Sequence, residues 1–226
     1  MVNGYRRNTQ EFVATDSFFK DFVVRKSDNS IILKSNEGFK RVQFDYYNTY
    51  DLSRDSLALE IKPGYDVHYN VLHKWFEKYS KLPLKVQRSD WSVGLVGNMF
   101  NRTSEFYFLE SRKDYTEDLY RLRTEVVSNA SYVFSTFATI EGYYNYYIGD
   151  VIGGKRELPD GGIDWVVRYL IATKLVAPSN YGLVKSLIMD RVEFLKGRNE
   201  PNIMMYYNEL PMIIDDLEST DFSSFK

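Results

Sequence analysis

Glu60 and Lys62 stand two apart in the run Leu57-Ala-Leu-Glu-Ile-Lys62. On a β-strand that spacing projects an acid and a lysine from one face. With Asp45 upstream they form a set that can hold a divalent ion and orient an attacking water. This is one chemistry open to the sequence: a magnesium-dependent nuclease or phosphodiesterase using Asp45, Glu60 and Lys62. Other chemistries lack their residues. The chain has no cysteine and two histidines, which excludes thiolate zinc sites, iron–sulfur clusters, cysteine nucleophiles and histidine-rich centres. His68 and His73 are five apart, neither the i, i+4 pair of a helical metal site nor the i, i+2 pair of a strand. They read as surface or boundary residues. Two outward charges on an amphipathic strand are also what contact with water requires. We therefore expect no catalytic residue, no metal and no cofactor, with magnesium entering only under the alternative reading.

Two further motifs fail on context. Gly149-Asp-Val-Ile-Gly-Gly154-Lys155-Arg156 has phosphate-loop spacing, but Arg156 replaces the hydroxyl residue and the segment follows a helical pattern rather than a strand. Gly38-Phe-Lys-Arg-Val-Gln-Phe44 shares Gly, Phe, Val and Phe with the RNA-recognition strand, yet Phe39 and Phe44 face opposite sides of a regular strand. The tyrosines are a different signal. There are nineteen, and Tyr143, Tyr144, Tyr146 and Tyr147 surround one helix end. Tyrosine gives large contact area at low entropic cost, so these four are the expected interaction surface. Packing within the chain is the competing reading.

The elements that position these residues follow from periodicity. Asn8 to Lys26 reads as a helix, capped by Asn8 with Glu11 three residues on. Strands are expected at Ile31–Lys34, Phe39–Tyr50, Leu57–Lys62, Trp91–Val96 and Glu105–Glu110, with a turn or bulge at Pro63-Gly64. Asn70 caps a helix that stops before Pro83. Beyond Ser111 the period changes. From Leu119 to Tyr147 apolar residues cover 28 residues in eight steps of three or four, a helical signal over Asp114 to Ile148, weakened at Gly142. Asp164 opens a helix ended by Pro178, and Asn180–Lys196 forms another. Pro201 and Pro211 bracket the last short candidates. The fold class is thus α+β: an N-terminal helix and a mostly antiparallel sheet, then an all-helical C-terminal half, with domains at 1–111 and 112–226.

The Glu60–Lys62 set is similar to the carboxylate–lysine core of restriction-endonuclease-like nucleases. The N-terminal helix, Gly38-Phe-Lys-Arg, the strand Leu57–Lys62 and Trp91-Ser-Val-Gly94 together resemble a bacterial domain-of-unknown-function family (number 4304, DUF4304). The likeness covers about the first 110 residues by the seam above and implies no activity, because the family has none to carry over.

The formal net charge is −2, with the first half at +2 and the second at −4. That gives no electrostatic case for a nucleic-acid partner. The most apolar stretch, Trp165 to Ala177, is interrupted by Arg168 and Lys174 and is too short to span a bilayer, and the first residues carry no apolar leader pattern. We expect a cytoplasmic, tyrosine-rich protein that acts by protein–protein contact, as an adaptor or a neutralising module, on a protein partner or a second copy of itself.

Overall fold

Two long strands anchor the sheet-bearing part of the molecule, whose computed structural model describes residues 9–51, 55–103, 105–109, 114–160 and 162–222. The strands are β1 (Val23–Arg25), β2 (Ser30–Ser35), β3 (Gly38–Asp51), β4 (Ser56–Tyr69), β5 (Val93–Val96) and β6 (Phe106–Leu109). Their order is β1-β2-β3-β4-β5, with β6 also on β4. The β1–β2, β2–β3, β4–β5 and β4–β6 pairings are antiparallel. The chain is therefore α+β, a sheet followed by a helical half.

β4 runs straight through Pro63-Gly64, where a turn or bulge was expected. β6 pairs with residues 58–61 and β5 with residues 64–67, so Lys62 and Pro63 fall between the two partners. A residue without an N–H breaks neither ladder there.

The first helix is shorter than its pattern. Residues 9–14 are helical (α1), and the expected cap Asn8 lies outside the described residues. Asp16 then accepts the Phe18 N–H at 3.0 Å and starts a 3-10 turn over Ser17–Phe19. This local bond competes with the helix, and the β-branched Val23-Val24 pair that follows joins the sheet as β1. Phe18 and Phe22 stack on Phe134 at 6.4 and 5.9 Å.

The helices after these are α2 (Asn70–His73), α3 (Leu84–Ser89), α4 (Thr116–Thr136), α5 (Ile140–Tyr143), α6 (Asp150–Ile152), α7 (Ile163–Val176), α8 (Tyr181–Gly197), α9 (Pro201–Met204) and α10 (Leu210–Ser219). The contacts divide the chain into two units: residues 1–68 with 93–135, and residues 69–92 with 136–226. Both are discontinuous in sequence, whereas the periodicity change marks a single seam at 111–112.

In the first unit α4 buries Leu122, Val126, Ala130 and Val133, one stripe at helical spacing. Asn129 Nδ2 on the same side donates to the Thr103 carbonyl at 3.1 Å. In the second unit α7 is the centre. Every residue from Trp165 to Thr173 is buried, as expected of a helix with neighbours all round, and α2, α5 and α8 are among them.

The long helical pattern from Asp114 to Ile148 is interrupted. α4 ends at Thr136, α5 starts at Ile140, and Tyr144–Gly149 forms a π-helical segment. Gly142 marks the reason. A Cβ there would stand 2.0 Å from the Thr136 carbonyl oxygen, so only glycine lets the returning turn pass the end of α4 this closely. Tyr69 closes the break by donating its hydroxyl to the Phe137 and Thr139 carbonyls, at 2.7 and 3.0 Å.

Candidate functional site

Glu60 and Lys62 do meet on β4, at 3.1 Å. Their company differs from the expected set. Lys62 also pairs with Glu105 at 3.2 Å. The Tyr107 hydroxyl lies 3.0 Å from Glu60 and 2.9 Å from Glu105, because β6 sets Tyr107 opposite Glu60. Tyr47 lies under the Lys62 ammonium at 5.4 Å. Hydrogen bonds from Tyr107 and then Lys62 hold the Glu105 carboxyl below its ordinary range. The same contacts raise Lys62, through Glu60 first and Glu105 second. Asp45 is exposed and lines a separate surface hollow with Asn29, Phe44, Tyr46 and Tyr47. Among the described residues no ion pair joins it to Lys62, and no group of three His, Asp or Glu side chains is placed to hold a metal. The cluster is self-contained: Lys62 bonds both carboxylates, and the single Tyr107 O–H lies between them.

The four tyrosines divide. Tyr143 is 1% exposed and Tyr144 6%, while Tyr146 and Tyr147 are half-buried. Tyr143 packs edge-on to Tyr69 and Tyr169, and Tyr144 receives the Asn180 amide at 2.9 Å. Arg156, from the loop with phosphate-loop spacing, lies 4.2 Å over the Tyr146 ring. The π-helical register spreads the four rings so that two turn inward and two reach the surface. Burial drives the Tyr143 hydroxyl well above the usual tyrosine range and Tyr147 up to about 12.

Another concavity lies within the helical unit, a cleft of about 270 Å³. One wall is the segment from α2 to α3: Leu72, His73 and Phe76, then Leu82 and Val86. The other combines the start of α7 (Ile163, Asp164, Arg168) with Asn202, Met205 and Tyr206 around α9. Lys81 ties the walls together. Its N–H donates to the Tyr206 hydroxyl at 2.6 Å, and its ammonium reaches the Met205 carbonyl at 2.7 Å and Glu209 at 2.8 Å.

Arg168 closes the polar end. It is 8% exposed and donates to Asp164 at 2.5 Å, the Trp91 carbonyl at 3.0 Å and Asp90 at 3.3 Å. Its buried Nε has no acceptor among the described residues, an arrangement native interiors seldom tolerate. Asp164 uses Oδ2 for Arg168, and among the described residues its Oδ1 accepts no hydrogen bond. His73 Nε2 lies 2.9 Å from Ser92 Oγ, which in turn accepts the Tyr69 N–H at 3.0 Å.

Sequence reasoning missed this cleft. Arg168 and Asp164 carried a readable signal, an acid four residues before an arginine inside an otherwise apolar helical run, which is an i, i+4 pair. The helix α3, with Val86 and neighbouring Leu82, follows Pro83, where the pattern ended. His68 is a correction too. It is 5% exposed and stacked on Phe39 at 4.8 Å, because the continuing β4 carries it into the sheet.

No protein-family model, curated protein or solved structure matches this chain. Among the described residues no helix is long and apolar enough to cross a membrane.

Proposed function

We propose that this protein works by binding a partner protein, without catalysis, and that the cleft of the helical unit receives the partner. The observation that carries this reading is the apolar mouth of the cleft. Leu82, Val86 and Met205 are 53%, 48% and 47% exposed around it. Large apolar side chains grouped about a concavity mark an interaction site, whereas single ones scattered over a surface do not. The polar end favours binding over chemistry as well, since Arg168 is committed to two aspartates and a backbone carbonyl. The cluster around Glu60 and Lys62 in the sheet unit is likewise filled by Tyr107 and Glu105.

The test is partner capture by the full chain with a photo-crosslinker at Val86. A partner recovered by the wild type and by the surface control Leu183→Asp, and lost with Leu82→Asp and Met205→Asp, supports the reading. Leu183 is equally exposed but sits on α8, away from the cleft lining. Capture that survives both cleft substitutions rejects it.

A further inference from the structure

We infer that the partner enters the cleft as an amphipathic α-helix, its apolar stripe against the mouth and an acidic flank beside Lys85. This deepens the reading of the cleft as a partner site and rests on it. The segment from Leu82 to Ser89 is turned inside out. Gln87 is buried on α3 and donates its amide to the Leu82 carbonyl at 2.5 Å, while Leu82, Leu84 and Val86 are exposed. On the other wall Met204 and Met205 are exposed at the end of α9. A segment that buries its glutamine and shows its leucines and valine departs from ordinary burial in the informative direction. The methionines beside it give a surface that can fit a partner's side chains.

The form of the partner follows from the unit that offers the site. Strand addition needs a sheet edge, and among the described residues the helical unit has none: apart from Tyr69, β1 to β6 belong to the other unit. A proline-rich segment needs an aromatic-lined groove, whereas this mouth is built of Leu, Val and Met. A groove between short helices takes an amphipathic helix by apolar anchors at i, i+3 and i+4. The charge of the helix flank follows from the rim. The wall from residue 74 to 90 carries Lys74, Lys78, Lys81, Lys85 and Arg88 against Glu77 and Asp90. Lys78, Lys81 and Arg88 are paired with Asp216, Glu209 and Glu77. Lys85, exposed between Leu84 and Val86, has no ion pair among the described residues. Nor has Lys74, which lines a separate hollow with Trp75 and Lys78. On the facing wall Asp164 is engaged by Arg168 and Glu209 by Lys81, and Glu200 is half-buried. The exposed charge without a counter-ion beside the apolar mouth is therefore positive, and complementarity calls for a carboxylate.

The experiment is an NMR titration of the full chain with designed amphipathic peptides of about 18 residues, long enough to hold a helix, that share one leucine stripe. One carries glutamates along its flank and one carries lysines. A third has the glutamate flank and a central proline that breaks the helix. The expected result is that the glutamate peptide shifts the amides of Lys85, Val86 and Met205. It binds several-fold more tightly than the other two, although the chain's own net charge is −2. Lys85→Glu, at an exposed position without an ion pair, reverses the order of the glutamate and lysine peptides, and salt weakens both preferences. Equal binding of these two, or an order that ignores Lys85→Glu, overturns the acidic flank. A proline peptide that binds as well as its parent overturns the helix. If none of the peptides binds while partner capture still depends on Leu82 and Met205, the helix falls and the partner cleft stands. If capture ignores those residues, the cleft reading itself falls.

Discussion

Arg168 shows how a buried charge is kept at the scale of one residue. Either Asp90 or Asp164 alone still neutralises it, so the two carboxylates back each other up. Removing one of these half-exposed partners should cost only about 1 kcal/mol, whereas removing both strands a buried guanidinium and should cost about 3–5 kcal/mol. Urea unfolding of Asp90→Ala, Asp164→Ala and the double variant measures this, and simple additivity would refute it. The cluster around Glu105 makes a pH prediction. Its carboxyl lies below the ordinary range because Tyr107 and Lys62 bond the charged form. Its contribution to stability is therefore fully present above the unfolded glutamate value of about 4.3 and lost as pH falls through the lower folded value. Thermal melts between neutral and acid pH should show a steeper loss for the wild type than for Glu105→Gln. Lys62 was readable from its spacing to Glu60 on one strand. Glu105 and Tyr107 were not, because only the β4–β6 register brings them there, and a single strand's alternation does not encode its partner.

Among the elements, two glycines in helical segments should respond in opposite directions to alanine. Gly182 in α8 has nothing within 4 Å of an added Cβ, so Gly182→Ala should stabilise by about 0.5–1 kcal/mol. Gly142→Ala places a methyl group against the Thr136 carbonyl and should destabilise by at least a comparable amount, despite the same propensity gain. Denaturation midpoints of the two variants decide the matter. The contrast also explains which elements were legible. α4 and α8 follow their apolar period and α7 its apolar run, and strands β2 to β6 follow composition, but on β4 the expected alternation fails: Ala58 to Ile61, Glu60 included, are all buried while Leu57 is exposed. The errors fall where a contact distant in sequence overrides a local pattern. The helical period carried across the α4–α5 break because the stripe continues in phase. Pro63-Gly64 read as a turn or bulge because the gap between β5 and β6 is invisible along β4. The segment 84–89 followed a proline and offered too short a pattern to register as a helix.

At the scale of the whole molecule, the path of the chain matters more than its composition. It passes between the two units at 68–69, 92–93 and 135–136, so a cut at residue 111 leaves both incomplete. A 1–111 fragment lacks α4 and the stripe from Leu122 to Val133 that the first unit buries. It should show poor amide dispersion in NMR spectra and a tendency to aggregate, and a well-dispersed monomeric fragment would contradict the division. The same threading sets a timetable during synthesis. One wall of the cleft, Leu72 to Asp90, leaves the ribosome early, while Asn202, Met205 and Tyr206 come last. At about 5–20 residues per second the first wall waits on the order of ten seconds for the second. Throughout that interval its apolar side chains are available to chaperones but form no cleft. A partner that recognises the cleft therefore selects chains synthesised and folded past Tyr206 over those that still lack the second wall.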